Sequence, residues 1–242
     1  MQRAMVSLRQ LHETEKGIHK MLREAGTNTL HVAQRTCETA KLLAAQFPLT
    51  PDGIRNLYCE LATLAQEPMV VLARTHLPIA CGPGCSYCCE QGVSALPVEV
   101  ALIYSSAPAS ALDEAVRLAT VLKTPKNNAQ ARAKLACPLL NAERECSVYA
   151  VRPLACHAEH SYSVRACMQG FGAGHPMAPQ PWLLTNAVQL GITQHFGSLG
   201  LDTALVDLAF GLAALRRGAL AAEEPLRRWL AGERLFSTAA SD

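Results

Sequence analysis

Aromatic residues are scarce, only 5% of the 242 positions. The interior must therefore be filled largely by Leu, Ala and Val, a composition that suits packed helices better than a β-sandwich. Charge of one sign is also missing: 22 basic residues stand against 20 acidic ones, and no strong field points to nucleic acid as a partner. The apolar stretches are broken by Arg, Lys, His or Glu well short of the roughly 20 residues a membrane-spanning helix needs. The first residues run straight into His12-Glu13-Thr14-Glu15-Lys16, without an apolar stretch fit for a signal peptide. We therefore expect a cytoplasmic chain with no membrane or nucleic-acid partner. No Ser-His-Asp order, paired carboxylate, linker or internal repeat is discernible. Gly170-x-Gly172-x-Gly174 lacks the flanking strand and helix of a phosphate cradle.

Helical periodicity accounts for most of the rest. Leu30, Ala33, Cys37, Ala40 and Ala44 recur at helical spacing between Thr27 and Gln46. A second helix is expected from Thr50-Pro51-Asp52, with Ile54, Leu57, Tyr58, Leu61, Leu64 and Ala65 on one face. Others should open at Leu96-Pro97-Val98-Glu99 and at Ser110, where Ser110-x-x-Asp113 resembles a capping box. Lys123 to Gln130 is polar, and Cys137 to Pro176 has no sustained period, so both are expected to be mostly loop. The last third predicts helices over Trp182–His195, over Asp202–Arg217 with Leu201, Leu205, Leu208, Leu212 and Leu215 on its face, and over Pro225–Gly232. The expected fold is mainly α, a single domain over residues 1–242. N-terminal helices (1–80), a cysteine-rich irregular centre with a helical insert (81–167) and C-terminal helices (168–242) would make it up.

What the chain has in abundance is cysteine. Of ten, Cys37 and Cys59 lie on or beside helical stripes and read as small packing residues. The other eight fall into two runs: Cys81, Cys85, Cys88 and Cys89, then Cys137, Cys146, Cys156 and Cys167. In a reducing compartment such clustering favours metal ligation over disulfides, and a chain of this length does not need disulfides to hold a core. Thiolates are soft, anionic ligands that suit zinc and iron-sulfur clusters, and many held together require a cation to offset their repulsion. Gly82, Pro83 and Gly84 would turn the first run into a tight knuckle where sulfurs can converge. Unligated core or redox cysteines are the bland alternative. Arg144, Arg152 and Arg165 could offset the charge of a thiolate set, while His157 and His160 read as neighbours of it more than as ligands. The candidate partner is a metal ion or cluster, and metal would supply order to the second run.

Cys85-Ser86-Tyr87-Cys88-Cys89, then Cys137-Pro138-Leu139-Leu140, then Cys146-Ser147-Val148-Tyr149-x-x-Arg152-Pro153-x-x-Cys156 resemble the YkgJ-type cysteine-cluster family of the CxxCxxCC type. The resemblance covers about residues 81 to 167, including the hydrophobic, Glu-containing segment Val93 to Ile103. It implies a zinc- or iron-chelating role with Cys81, Cys85, Cys88, Cys89, Cys137, Cys146 and Cys156 as ligands, and Cys167 beyond the matched pattern. The chain departs from that pattern in its first spacing, three residues instead of two, and in His157 where a basic residue commonly follows. A similar cluster in flagellin lysine N-methylases leaves an iron-sulfur enzyme, redox or S-adenosylmethionine-dependent, as the alternative function. Cys81-x3-Cys85-x-Tyr87-Cys88 also resembles the cluster loop of radical S-adenosylmethionine enzymes. The chain beyond that loop lacks the strand-helix alternation of their barrel.

Overall fold

The computed structural model describes residues 27–73, 79–82, 84–122, 135–169 and 179–236. The glycine loop at 170–174, the polar stretch at 123–130, Pro83, and His12, His19, His76 and His175 lie outside them. The described residues are mostly helical, as the composition predicts. Helix α1 (Thr27–Ala44) buries Ala33, Cys37, Ala40 and Ala44, the spacing of one helical face. Helix α2 (Pro51–Ala73) opens with Thr50 Oγ1 accepting the Gly53 amide at 3.1 Å and with Pro51 in the first turn. It buries Ile54, Leu57, Tyr58, Leu61 and Ala65, while Cys59 is exposed.

After the first cysteine run comes a two-residue strand β1 (Ser94–Ala95), then α3 (Pro97–Ser106) and α4 (Ala109–Leu122). Two short helices lie in the second run, α5 (Leu154–Ala158) and α6 (Val164–Met168). Then come α7 (Pro179–Ser198), strand β2 (Val206–Asp207), α8 (Leu208–Arg217) and α9 (Glu224–Leu230). The strands pair antiparallel, Ser94 opposite Asp207 and Ala95 opposite Val206. This minimal ribbon ties the starts of α3 and α8 together, although 112 positions separate Ala95 from Asp207.

Two apolar cores flank α3, which is buried from Pro97 through Tyr104. On one side Leu96, Val98, Ala101 and Leu102 pack with α1, α2, α7 and α9, where Phe196 meets Trp229 edge-on at 5.0 Å. On the other side Val100, Ile103 and Tyr104 pack with α4 and α8, and also with Leu139 and Val148 of the second cysteine run. At about 1.5–3 kcal/mol for each large apolar side chain buried, Leu139 and Val148 hold an otherwise irregular segment onto the helices. Cys137 and Cys146 lie against this core, partly buried.

Two local expectations differ from the structure. Helix α4 begins at Ala109, with the amides of Ala111 and Leu112 donating to the Pro108 carbonyl, so Ser110 lies within the first turn and not at the cap. Helix α8 begins at Leu208 and not at 202, because Asp207 Oδ1 accepts the amides of Ala209 and Phe210 at 3.0 and 3.3 Å. Leu201 instead joins the core of Phe196 and Trp229, and Leu205 is exposed. The described stretch from Cys137 is mostly loop, as expected, with Cys156 and Cys167 on the short helices α5 and α6. Helices this short complete barely one turn, too little for a period to emerge from sequence.

Candidate metal centre

The first cysteine arm is a string of tight turns. The Cys85 amide donates to the Gly82 carbonyl at 3.0 Å, and Gly84 between them takes φ 79°, left-handed backbone that glycine adopts without steric penalty. Cys88 and Cys89 fall in a 3-10 turn, Tyr87–Glu90, whose Cys89 amide returns to the Ser86 carbonyl at 3.0 Å. Cys81 is held from outside the run: its Sγ accepts the Ser161 amide at 3.3 Å, while the Ala80 amide donates to the Ser161 carbonyl at 2.8 Å. Ser161 is itself buried.

The second arm docks directly on the first. The Cys137 amide donates to the Cys89 carbonyl at 2.7 Å. Beyond it the chain doubles back at a bridge between Leu140 and Cys146, with Arg144 at φ 61° in the turn. From there Arg144 reaches across, its Nε to Ser86 Oγ and an Nη to Glu90 Oε1, both at 2.8 Å. Helix α6, which carries buried Cys167, packs against the turn of Cys88 and Cys89. Cys156 lies in α5, which packs against α2, α7 and β1.

No disulfide joins any of the ten cysteines. Their electrostatics link the arms. Burial pushes the Cys156 thiol far up, and Cys137, Cys88 and Cys146 push it further, while Arg152 pulls it down. Burial raises Cys146, with the Val148 backbone and Arg152 opposing and Cys88 adding. Burial raises Cys81 too, with Cys85, Cys88 and Cys167 adding to it. Cys88 is raised chiefly by its hydrogen bond with Cys89, then by burial, Cys89 and Glu159. Cys88 thus feels, or is felt by, thiols from both runs.

These are half-buried sulfurs that repel one another's ionisation, and a soft cation is what converts such a set from thiols to thiolates. The donor chemistry fits zinc or iron. Among the described residues no three Cys, His, Asp or Glu side chains stand close enough to grip one ion as they are. The sulfurs are neighbours and not a finished cage.

The charged neighbours separate into roles. Arg152 lies 4.1 Å over the Tyr149 ring and 3.3 Å from both ring nitrogens of His157. Of the three candidate arginines it is the one that lowers Cys146 and Cys156, whereas Arg144 clamps the arms and Arg165 is exposed on α6. His157 is buried, its pKa lowered to about 3 by desolvation, then by Arg152 and His160. It stays neutral and packed against the guanidinium. Burial and Arg152 also lower His160, whose buried Nδ1 has no hydrogen-bond partner among the described residues.

Sequence reasoning missed Glu99 as a site residue. Its carboxyl is 2% exposed and accepts the Leu154 amide, at the head of the Cys156 helix. A lone acid inside the apolar run Leu96–Ile103 was the available signal. A cavity beside Cys137, lined in part by Gln91, Val93 and Leu208, has about 10 Å³, room for one water and not for a substrate.

No curated protein matches the chain, and no solved structure does. Residues 80–171 match the family model CxxCxxCC, described as "Putative zinc- or iron-chelating domain". That segment spans the eight clustered cysteines and both docked arms, so between residues 80 and 171 the chain is similar to a domain described as zinc- or iron-chelating, which supports metal binding in general.

Proposed function

We propose that the chain holds zinc or an iron-sulfur cluster through thiolates drawn from Cys81, Cys85, Cys88, Cys89, Cys137, Cys146, Cys156 and Cys167. The observation that carries this reading is the joining of the two runs. The Cys137 amide is bonded to the Cys89 carbonyl at 2.7 Å, and the Cys156 thiol is raised by Cys137, Cys88 and Cys146 together. Residues up to 86 positions apart, Cys81 and Cys167, belong to one electrostatic neighbourhood. A bound cation would replace the protons these thiols retain, and Arg152 would offset the residual negative charge near Cys146 and Cys156.

Metal uptake in this reading releases protons and draws the neighbouring sulfurs inward. The helices supply the fixed frame and the two arms the moving part. A catalytic version of the same centre, redox or methyl-transferring, would need a substrate pocket, and the cavity beside Cys137 lends it no support.

Anaerobic purification followed by a visible spectrum, metal analysis and sulfide analysis tests the proposal. Brown protein with iron and acid-labile sulfide supports the cluster, and colourless protein with stoichiometric zinc supports the ion. Metal-free protein that takes up neither after anaerobic reconstitution, with all its thiols open to reagent, overturns it.

A further inference from the structure

Glu99 carries a charge-bearing group into the most apolar helix of the structure. Every residue of α3 from Pro97 to Tyr104 is buried, and Glu99 is 2% exposed among them. Burying a carboxylate costs several kcal/mol unless its oxygens are well served. They are served by two amides, one local and one from a distant part of the chain. Oε2 accepts from Leu96, at the start of its own helix, and Oε1 from Leu154, 55 positions away, both at 2.8 Å.

The Leu96 bond is a helix cap, which many side chains could provide. The Leu154 bond is different. Its N–H is the first amide of α5, without a helical carbonyl to take it, and the residue before it is Pro153, which has no N–H to share the task. Two residues further on is Cys156, whose amide returns to the Pro153 carbonyl at 2.9 Å. The Leu154 side chain is 1% exposed in the core built on α3. The placement of the Cys156 thiol is thus referred, through one turn of helix, to a carboxylate on the rigid scaffold.

We propose that Glu99 is a positioning residue for the metal centre: it anchors the Cys156 arm to the head of α3, so that this thiol meets those of Cys88, Cys137 and Cys146. The inference rests on the thiolate reading above. It gives Glu99 no contact with metal, and assigns to it the spacing between one sulfur and the rest.

Cobalt(II) reports the outcome, because thiolate ligation gives it a sulfur-to-metal absorption that can be titrated against a competing chelator. Expected is a cobalt affinity about 10–100-fold weaker in Glu99→Gln than in wild type, the loss seen when an outer residue that orients a ligand is removed. The Leu154 amide should also exchange faster with solvent. Leu183→Ala, in the separate cluster of α1 and α7, is the control for lost stability. It should melt earlier and still bind cobalt as wild type does. Wild-type affinity in Glu99→Gln, or an equal loss in Leu183→Ala, overturns the inference while leaving thiolate binding intact. A wild type that takes up no cobalt overturns both. Should Glu99→Gln not fold, amide exchange in the wild type replaces it: Leu96 and Leu154 slowing together on metal binding supports the anchor, and a Leu154 amide that exchanges freely throughout overturns it.

Discussion

Arg144 donates from Nε to the hydroxyl of Ser86 at 2.8 Å, fastening the turn of the second cysteine arm to the knuckle of the first across 58 positions of sequence. Ser86 is 4% exposed, so its hydroxyl has little water to fall back on. In the pair with Glu90 the arginine is half-exposed and the carboxylate about a third exposed, and that ion pair contributes less than about 1 kcal/mol in water. Arg144→Ala should therefore cost about 1–2 kcal/mol, mainly from the stranded hydroxyl. Cobalt titration should show weakened uptake, and Arg144→Lys, which cannot reach both partners with a planar fork, should restore little. Unchanged affinity in Arg144→Ala would show that the arms dock without this clamp.

Stripping the metal should loosen the centre selectively. A site assembled from distant segments couples uptake to local order. Limited proteolysis after chelation is expected to cut within residues 81 to 167 well before it cuts α1, α2 or α7. The same pattern of fragments with and without chelator would speak against metal-dependent ordering.

Glu99 predicts a stability slope with pH. Burial raises its pKa to about 7 from an ordinary 4.5, against the pull of the Leu154 and Leu96 amides. The folded chain then holds a proton that the unfolded chain gives up between those values. The contribution of Glu99 is complete below about pH 4.5 and declines as pH rises to about 7. At about 1.4 kcal/mol per pH unit this spans on the order of 3 kcal/mol. His157 and His160, whose pKa values are lowered, act in the opposite sense, losing stability as pH falls below their ordinary 6.5. Denaturant midpoints of metal-free wild type and Glu99→Gln, compared from pH 5 to 7.5, isolate the carboxyl: their difference should narrow as pH rises. A constant difference would mean that Glu99 ionises normally.

Tyr58 offers a contrast on the same helix junction. Its hydroxyl is buried without a hydrogen-bond partner among the described residues, and its ionisation is opposed by burial and by Glu99. Tyr58→Phe removes a desolvated group and nothing it was bonded to, so we expect a change between zero and about 1 kcal/mol of added stability. A loss above about 1 kcal/mol in thermal unfolding would reveal a partner for that hydroxyl.

Gly191 marks the closest approach of α7 to α1. A Cβ there would lie 2.2 Å from the Cys37 carbonyl oxygen and 3.0 Å from Ala40 Cβ. Since both neighbours are backbone or Cβ and cannot swing away, Gly191→Ala should cost roughly 3 kcal/mol. Helical circular dichroism against temperature would register it, with thiolate binding at low temperature retained.

Spacing along the chain was enough to place α1, α2 and α3 and to fill their buried faces, because each runs through several turns whose contacts lie within a few residues. It was enough to mark Cys37 and Cys59 as different from the eight clustered cysteines, and to point to a chelating family. It did not reveal that Cys156 and Cys167 ride on single-turn helices, nor that Asp207 starts α8 and sends Leu201 to another core. The Asp207 cap is a local signal, whereas the single-turn helices and the place of Leu201 are selected by contacts from far away.

The chemistry of the candidate ligands was thus legible in composition: a sulfur atom brings its softness and its acidity wherever it sits. The approach of the two cysteine runs to one another was settled only in three dimensions. The Cys137 amide on the Cys89 carbonyl, Arg144 on Ser86, and Glu99 on the Leu154 amide each close a loop of about 50 residues. Closing such loops costs chain entropy that no local pattern repays. Here the repayment comes from two cores on either side of α3, which is why the position of each thiol depends on the whole helical frame.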